Sequence, residues 1–283
     1  MQCPTPISIK DKSENNPHKL NSVRMSVPCG RCGICQKNRR SQWTFRLREE
    51  LKVSYNCHFV TLTYSDDKLY DDPETGEISL NKKHFQDFIK RVREYDYRKT
   101  STRYLRYYGV GEYGSQTERP HYHAILFNLS QHSYNNLPTI WGYGNTHIGT
   151  VTQASIHYVT KYHVNRRYQD GETKQPEFSL MSQGLGKNYI KENKKYHQET
   201  GNQFVYMDGY RIAIPRYYKQ KIWTESEIKL YSQRNLDQLT QAEELEAERL
   251  QKIGHEDPFK EMWRRNFYKS KNIKHKSQDK DVL

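Results

Sequence analysis

The chain has 283 residues, enough to bury a core of one to two domains. It carries 46 Lys and Arg against 33 Asp and Glu, a formal charge of +13, which favours a polyanionic partner and nucleic acid before a membrane. Its start, MQCPTPISIK, lacks the apolar run of a secretory leader, and no long apolar segment follows, so a cytoplasmic, reducing compartment without membrane association is expected. Five cysteines, an odd number, argue against a secreted disulfide framework.

Residues 1–28 are short of hydrophobes and contain Pro4, Pro6, Pro17 and Pro28, which predicts an extended or loosely ordered arm. Cys29, Cys32 and Cys35 then form a C-x2-C-x2-C array that can surround one zinc with Cys3 as the fourth thiolate; free thiols near a helix start are the alternative. Helical spacing of Trp43, Leu47 and Leu51 predicts a helix over 36–52. CHFVTLTY, 57–64, is a strand rich in β-branched and aromatic residues. Residues 81–94 place Phe85, Phe88, Ile89 and Val92 on one side of an amphipathic helix.

The stretch 104–127, YLRYYGVGEYGSQTERPHYHAILF, holds two apolar, aromatic-rich runs around a polar segment punctuated by Gly111, Gly114 and Pro120. This predicts a β-hairpin with a long loop. Alternation along the second run puts His121, His123, Ile125 and Phe127 on one face. Two histidines side by side on a strand face are suited to chelating a divalent metal, and Glu112 can add a carboxylate when the hairpin closes. Gln116 and Glu118 are alternatives to it. PTIWGYGN, 138–145, reads as a turn-rich link into a strand over 146–151.

Past Ser155, an N-cap candidate, Ile156, Val159 and His163 lie on one side of a helix, while Tyr158, Lys161 and Tyr162 share a face at i, i+3 and i+4. A phenol with a pKa near ~10 needs help to act as a nucleophile, and Lys161 can lower its pKa, hold a phosphate or stabilise a leaving group. Residues 178–190 contain two glycines before Lys187 that can cradle a backbone phosphate. Residues 203–223 predict a hairpin around Asp208-Gly209 followed by a basic aromatic segment that includes Arg216. From Thr224 the chain is highly charged, with one helix around EELEAERLQKI and a disordered end from residue 268. There is no Gly-x4-Gly-Lys-Ser/Thr segment of the kind that binds nucleotide phosphates, so an ATP-driven helicase is not expected in this chain.

RPHYHAILF resembles the His-hydrophobe-His metal motif of HUH endonucleases, and GEYG followed by RPHYH is similar to the replication initiators of gokushovirus-type microviruses. FVTLTY resembles the strand that lies beside the histidine strand in HUH proteins. The Y-x-x-K-Y stretch resembles the tyrosine motif of rolling-circle initiators, which follows the histidines, whereas in relaxases the tyrosines precede them. PCG-x-C-x-x-C and PRYYK also have counterparts in the microviral proteins. The likeness covers roughly residues 1–220.

The resemblance implies an α+β fold, a central antiparallel sheet with flanking helices. Around it the expected organisation is a Cys-containing arm over 1–40, an endonuclease domain over 41–223 and a charged helical or disordered tail over 224–283. It implies that Tyr158 and Tyr162 are nucleophiles assisted by Lys161. His121, His123 and Glu112 would bind Mg2+ or Mn2+, and Arg119, Lys187 and Arg216 are expected at the DNA. The reaction would nick a single-stranded or supercoiled phage origin through a 5′-phosphotyrosine and later rejoin the ends. It would hand a 3′-OH to host helicase and polymerase in the bacterial cytoplasm. The competing expectation is a non-catalytic single-strand-binding protein in which the histidines are incidental and tyrosines beside cations stack on bases.

Overall fold

A computed structural model describes residues 3–10, 24–71, 76–102, 104–162 and 174–278. The chain divides into two compact units, Arg40–Tyr218 and the two ends, Met1–Arg39 with Lys219–Leu283. The larger unit is built on a five-stranded antiparallel sheet. Its strands are β3 (Cys57–Thr63), β4 (Arg106–Tyr113), β5 (Pro120–Phe127), β6 (Thr146–Thr150) and β7 (Phe178–Met181), in the order β6-β3-β5-β4-β7. The α+β architecture expected from the sequence is the one found.

The strand alternation settles which residues face which layer. Tyr122, Ala124 and Leu126 of β5, with Val60 and Leu62 of β3, pack against helices α2 (Lys82–Thr100) and α3 (Gln131–Trp141). Phe85, Phe88, Ile89 and Val92 supply the apolar side of α2, at the predicted spacing. Gly109 in β4 makes this layer possible, because a Cβ there would fall 2.2 Å from the Phe85 ring. On the opposite face Ile125 and Phe127 of β5, with Tyr108 and Val110 of β4, meet Leu47 of α1 (Gly33–Val53) and Ile156 and Val159 of α4 (Gln153–Tyr162). Several of the 23 tyrosines are therefore core residues and not stacking platforms: Tyr64, Tyr108, Tyr122, Tyr189 and Tyr218 are buried.

Four expectations need correction. Residues 138–141 belong to α3 and not to a turn-rich link. Ser130 caps the helix by accepting from the Ser133 amide, Leu137, Ile140 and Trp141 bury its inner face, and only Gly142, left-handed at φ 70°, ends it. Burial of three large side chains outweighs the one backbone bond that Pro138 forgoes. The chain end is not disordered from residue 268: α8 (Pro258–Gln278) follows α7 (Glu225–Lys252), which starts with a Thr224/Glu227 capping box. The arm contains a strand pair, β1 (Ile7–Lys10) with β2 (Arg24–Val27), so it is paired rather than loose over those residues. The glycine-rich turn before α5 (Asn188–Thr200) is packed and not an open cradle. The Gly186 amide donates to Glu50 Oε2 at 2.7 Å, and a Cβ on Gly186 would sit 2.6 Å from the Arg46 carbonyl oxygen. The hairpin at Asp208-Gly209 forms as expected between β8 (Phe204–Met207) and β9 (Tyr210–Ala213), both turn residues having positive φ.

Candidate metal and nucleophile site

The predicted hairpin closes tightly. β4 runs on to Tyr113 and β5 begins at Pro120, so the connection is only residues 114–119, and Glu112 lies within a strand directly opposite His121. β3 runs along the other side of β5 with Thr63 opposite His121 and Thr61 opposite His123. Facing pairs have Cβ atoms about 5 Å apart, so register alone brings the side chains together.

His121 Nε2 and His123 Nε2 lie 2.8 and 2.9 Å from Glu112 Oε1. The other ring nitrogens are held from outside: His121 Nδ1 donates to the Arg119 carbonyl at 3.0 Å, and His123 Nδ1 meets Thr61 Oγ1 at 2.9 Å. With Nδ1 carrying the proton, both Nε2 lone pairs point at the same place. Thr61 is a functional residue the sequence did not reveal; its signal was a threonine alternating onto the histidine face of the FVTLTY strand.

Glu112 is 1% exposed. Burial works to raise its pKa, but hydrogen bonds and charge from His121 and His123 prevail and hold it at about 2. His121 shows the complementary shift: burial lowers its pKa, and the Glu112 carboxylate more than reverses this. Glu112 Oε2 is buried with no hydrogen-bond partner among the described residues. Two imidazoles and a carboxylate converge here with ligand atoms all within 4.8 Å of one another. An orphaned carboxylate oxygen and two pre-oriented imidazole nitrogens fit a divalent cation that accepts oxygen and nitrogen donors. Gln116 and Glu118 are exposed in the turn, and Glu118 pairs with Lys174 at 3.6 Å.

Tyr158, in the middle of α4, reaches this cluster. Its hydroxyl donates to Glu112 Oε1 at 2.6 Å and lies 3.4 Å from His123 Nε2. The ring meets His123 edge-on at 4.9 Å between centroids, and Phe59 of β3 edge-on at 6.3 Å. Lys161, a turn further on, is 8% exposed. Tyr162 ends α4; its side chain, and His163, lie outside the described residues.

The three cations expected at DNA are dispersed. Arg119 is committed to the protein, donating to Asp66 Oδ1 at 2.6 Å and to the Tyr64 carbonyl at 2.5 Å. Lys187 and Arg216 are exposed, the first at the turn before α5 and the second at the start of α6 (Arg216–Ile222). Elsewhere, the thiols of Cys3, Cys29, Cys32 and Cys35 form a second convergent group. No helix among the described residues is long and apolar enough to cross a membrane.

Residues 57–167 match the family of replication-associated proteins of the ORF2 type. The chain is 29% identical over 260 residues to replication-associated protein ORF2 of Spiroplasma virus 4, covering 84% of this chain and 79% of that one. It is 30% identical over 218 residues to replication-associated protein VP4 of Bdellovibrio phage phiMH2K, covering 69% and 66%. With replication-associated protein ORF4 of Chlamydia phage 1 it shares 24% identity over 229 residues, covering 71% and 55%. A fold comparison with the N-terminal nuclease domain of minute virus of mice non-structural protein 1 covers 69% of this chain and 98% of that one. At a TM-score of 0.23 and 13% identity, that likeness has no bearing on the site.

Proposed function

Since this chain belongs to the ORF2-type family of replication-associated proteins, we propose that it initiates rolling-circle replication of a small phage genome by nicking one DNA strand with a tyrosine and later rejoining the ends. The observation that carries the reading is the Tyr158 hydroxyl, hydrogen-bonded at 2.6 Å to the carboxylate that also gathers His121 and His123. A tyrosine packed merely for stability has no need of a buried acid shared with two histidines.

Glu112, His121 and His123 would hold Mg2+ or Mn2+. When bound, the ion supplies Lewis-acid polarisation of the scissile phosphate and stabilises the charge that builds on it. The remaining work falls to the chain. Thr61 and the Arg119 carbonyl keep both imidazoles aimed, so no reorganisation is needed as the phosphate arrives. Phe59 and His123 fix the Tyr158 ring edge-on, which restricts its hydroxyl to one approach. Attack forms a bond between Tyr158 Oη and phosphorus and breaks the bond from phosphorus to the 3′ oxygen. The phenolic proton passes to the Glu112 carboxylate it already contacts, and the departing 3′ oxygen takes a proton from Lys161 or water. The 5′-phosphotyrosine keeps the energy of the phosphodiester, so rejoining by a free 3′-OH requires no ATP.

Tyr162 is the nucleophile of the second transfer in this reading. The +13 charge supports association with DNA phosphates, with exposed Lys187 and Arg216 among the contacts. Arg119 acts on the protein side, bracing the chain before His121 through Asp66 and the Tyr64 carbonyl. The substrate is an origin in single-stranded or supercoiled phage DNA, and the 3′-OH product suits a host polymerase and helicase in the bacterial cytoplasm.

The test is a denaturing gel of the protein incubated with 3′-labelled single-stranded DNA carrying its cognate origin and Mn2+. An SDS-resistant, slowly migrating band that disappears with EDTA and in a Tyr158→Phe/Tyr162→Phe double variant is expected. DNA that binds equally well with EDTA and never becomes covalently attached would overturn the reading in favour of a non-catalytic single-strand-binding protein.

A further inference from the structure

The unit made of the two chain ends contains its own ligating cluster. The Sγ atoms of Cys3, Cys29, Cys32 and Cys35 all lie within 4.8 Å of one another, and all are free thiols. We propose that these four thiolates bind one zinc ion that clasps the N-terminal arm and the first turn of α1 to α8.

Three observations carry this. The first is size: Cys3 Sγ and Cys32 Sγ are 3.7 Å apart. A zinc with Zn–S bonds of about 2.3 Å has tetrahedral S···S edges of about 3.8 Å, whereas a disulfide needs about 2.05 Å. A four-iron cluster would place a cube of iron and sulfide between the thiolates and force them farther apart than this. The second is the backbone. Gly30 adopts φ 74° and turns the chain so that the Arg31 and Cys32 amides point at Cys29 Sγ, at 3.4 and 3.3 Å. The Cys35 amide points at Cys32 Sγ at 3.5 Å, and the Cys29 amide at Cys3 Sγ at 3.4 Å. A neutral thiol is a weak acceptor, so several amides aimed at sulfur suit thiolates held by a metal. Sulfur donors also favour zinc over Mg2+ and Mn2+.

The third is what the clasp would hold. Pro4, next to Cys3, accepts a hydrogen bond from Trp263 Nε1 of α8 at 2.9 Å. Gly33, between Cys32 and Cys35, lies so close to α8 that a Cβ would fall 2.2 Å from the Ser270 carbonyl oxygen. Both contacts to α8 come from chain adjacent to a ligand. In a small unit with a limited apolar core, metal–ligand bonds provide the closure that burial alone does not.

The experiment uses the full chain purified under reducing conditions without chelator, in a His121→Ala/His123→Ala background so that the sheet site cannot contribute zinc. Elemental analysis is expected to give one zinc per chain. Cobalt substitution should produce the near-ultraviolet thiolate-to-cobalt band and visible absorption of a tetrahedral tetrathiolate. Cys3→Ser and Cys32→Ser should each lower the zinc content to a small fraction, while Cys57→Ser retains it. Should those serine variants fail to fold, mercurial titration of the unsubstituted chain remains: zinc release should follow thiol modification in proportion. Substoichiometric zinc, a cobalt spectrum without the thiolate band, or equal zinc loss in Cys57→Ser would each overturn the proposal. None of these readouts involves nicking, so the clasp and the nuclease reading stand or fall separately.

Discussion

Glu112, His121 and His123 reach one point because two strands pair residue for residue, whereas Cys29, Cys32 and Cys35 converge because a single turn folds back on itself. The sheet site is assembled from residues held in place by the ladder, with its imidazoles braced from β3 and from the chain before β5. Its nitrogen and oxygen donors suit an ion that must also take a phosphate oxygen. The cysteine group offers four sulfurs with no position left over, the arrangement of a closed structural site. One chain thus has an open site built by long-range pairing and a closed one built mostly by local chain geometry.

The sharpest way to break this contrast is at the nucleophile. Tyr158→Phe should reduce covalent DNA attachment by on the order of 10^4-fold in a single-turnover assay while leaving Mn2+ affinity near its original value. Undiminished adduct would shift the first attack to Tyr162. Next in size, Cys32→Ser should weaken zinc binding by about 3 kcal/mol, roughly a quarter of the 10–16 kcal/mol typical of structural zinc. Competition with a chromophoric chelator would measure this, and manganese titrations should not change. Glu112→Gln should lower Mn2+ affinity by about 100-fold by calorimetry, since it removes the charge that binds the ion. A parallel loss of zinc there would show that the two sites are not independent. Smallest, Thr61→Ala should cost about 10-fold in Mn2+ affinity, because His123 loses the partner that fixes its ring.

How legible the molecule is in its sequence follows the same division between local and long-range causes. The alternation through His121, His123, Ile125 and Phe127 revealed the strand and its ligand face, and the spacing of Phe85, Phe88, Ile89 and Val92 revealed α2. Both patterns are periodic and local. α3 was hidden because Pro138 and Gly142 read as turn signals, while its reason for being helical is the core that Leu137, Ile140 and Trp141 enter. The buried Asp96 of α2, which accepts from Ser130 and Ser133 at the start of α3, is a tertiary anchor with no sequence signature. Helical spacing put Tyr158, Lys161 and Tyr162 on one face, yet only the packing of α4 on the sheet brings the Tyr158 hydroxyl to Glu112. Glu112 was separated from Gln116 and Glu118 only by where β4 ends.

The histidine strand is hydrogen-bonded on both sides along almost its whole length, to β4 from Pro120 to Phe127 and to β3 from His121 to Phe127. Its amides should therefore be among the last to exchange with deuterated water, opening only when the sheet as a whole opens. Fraying of the edge strands β6 and β7 leaves both imidazoles where they were. Warming or denaturant should then extinguish ion binding in one step with the sheet, and not by gradual loosening of the site.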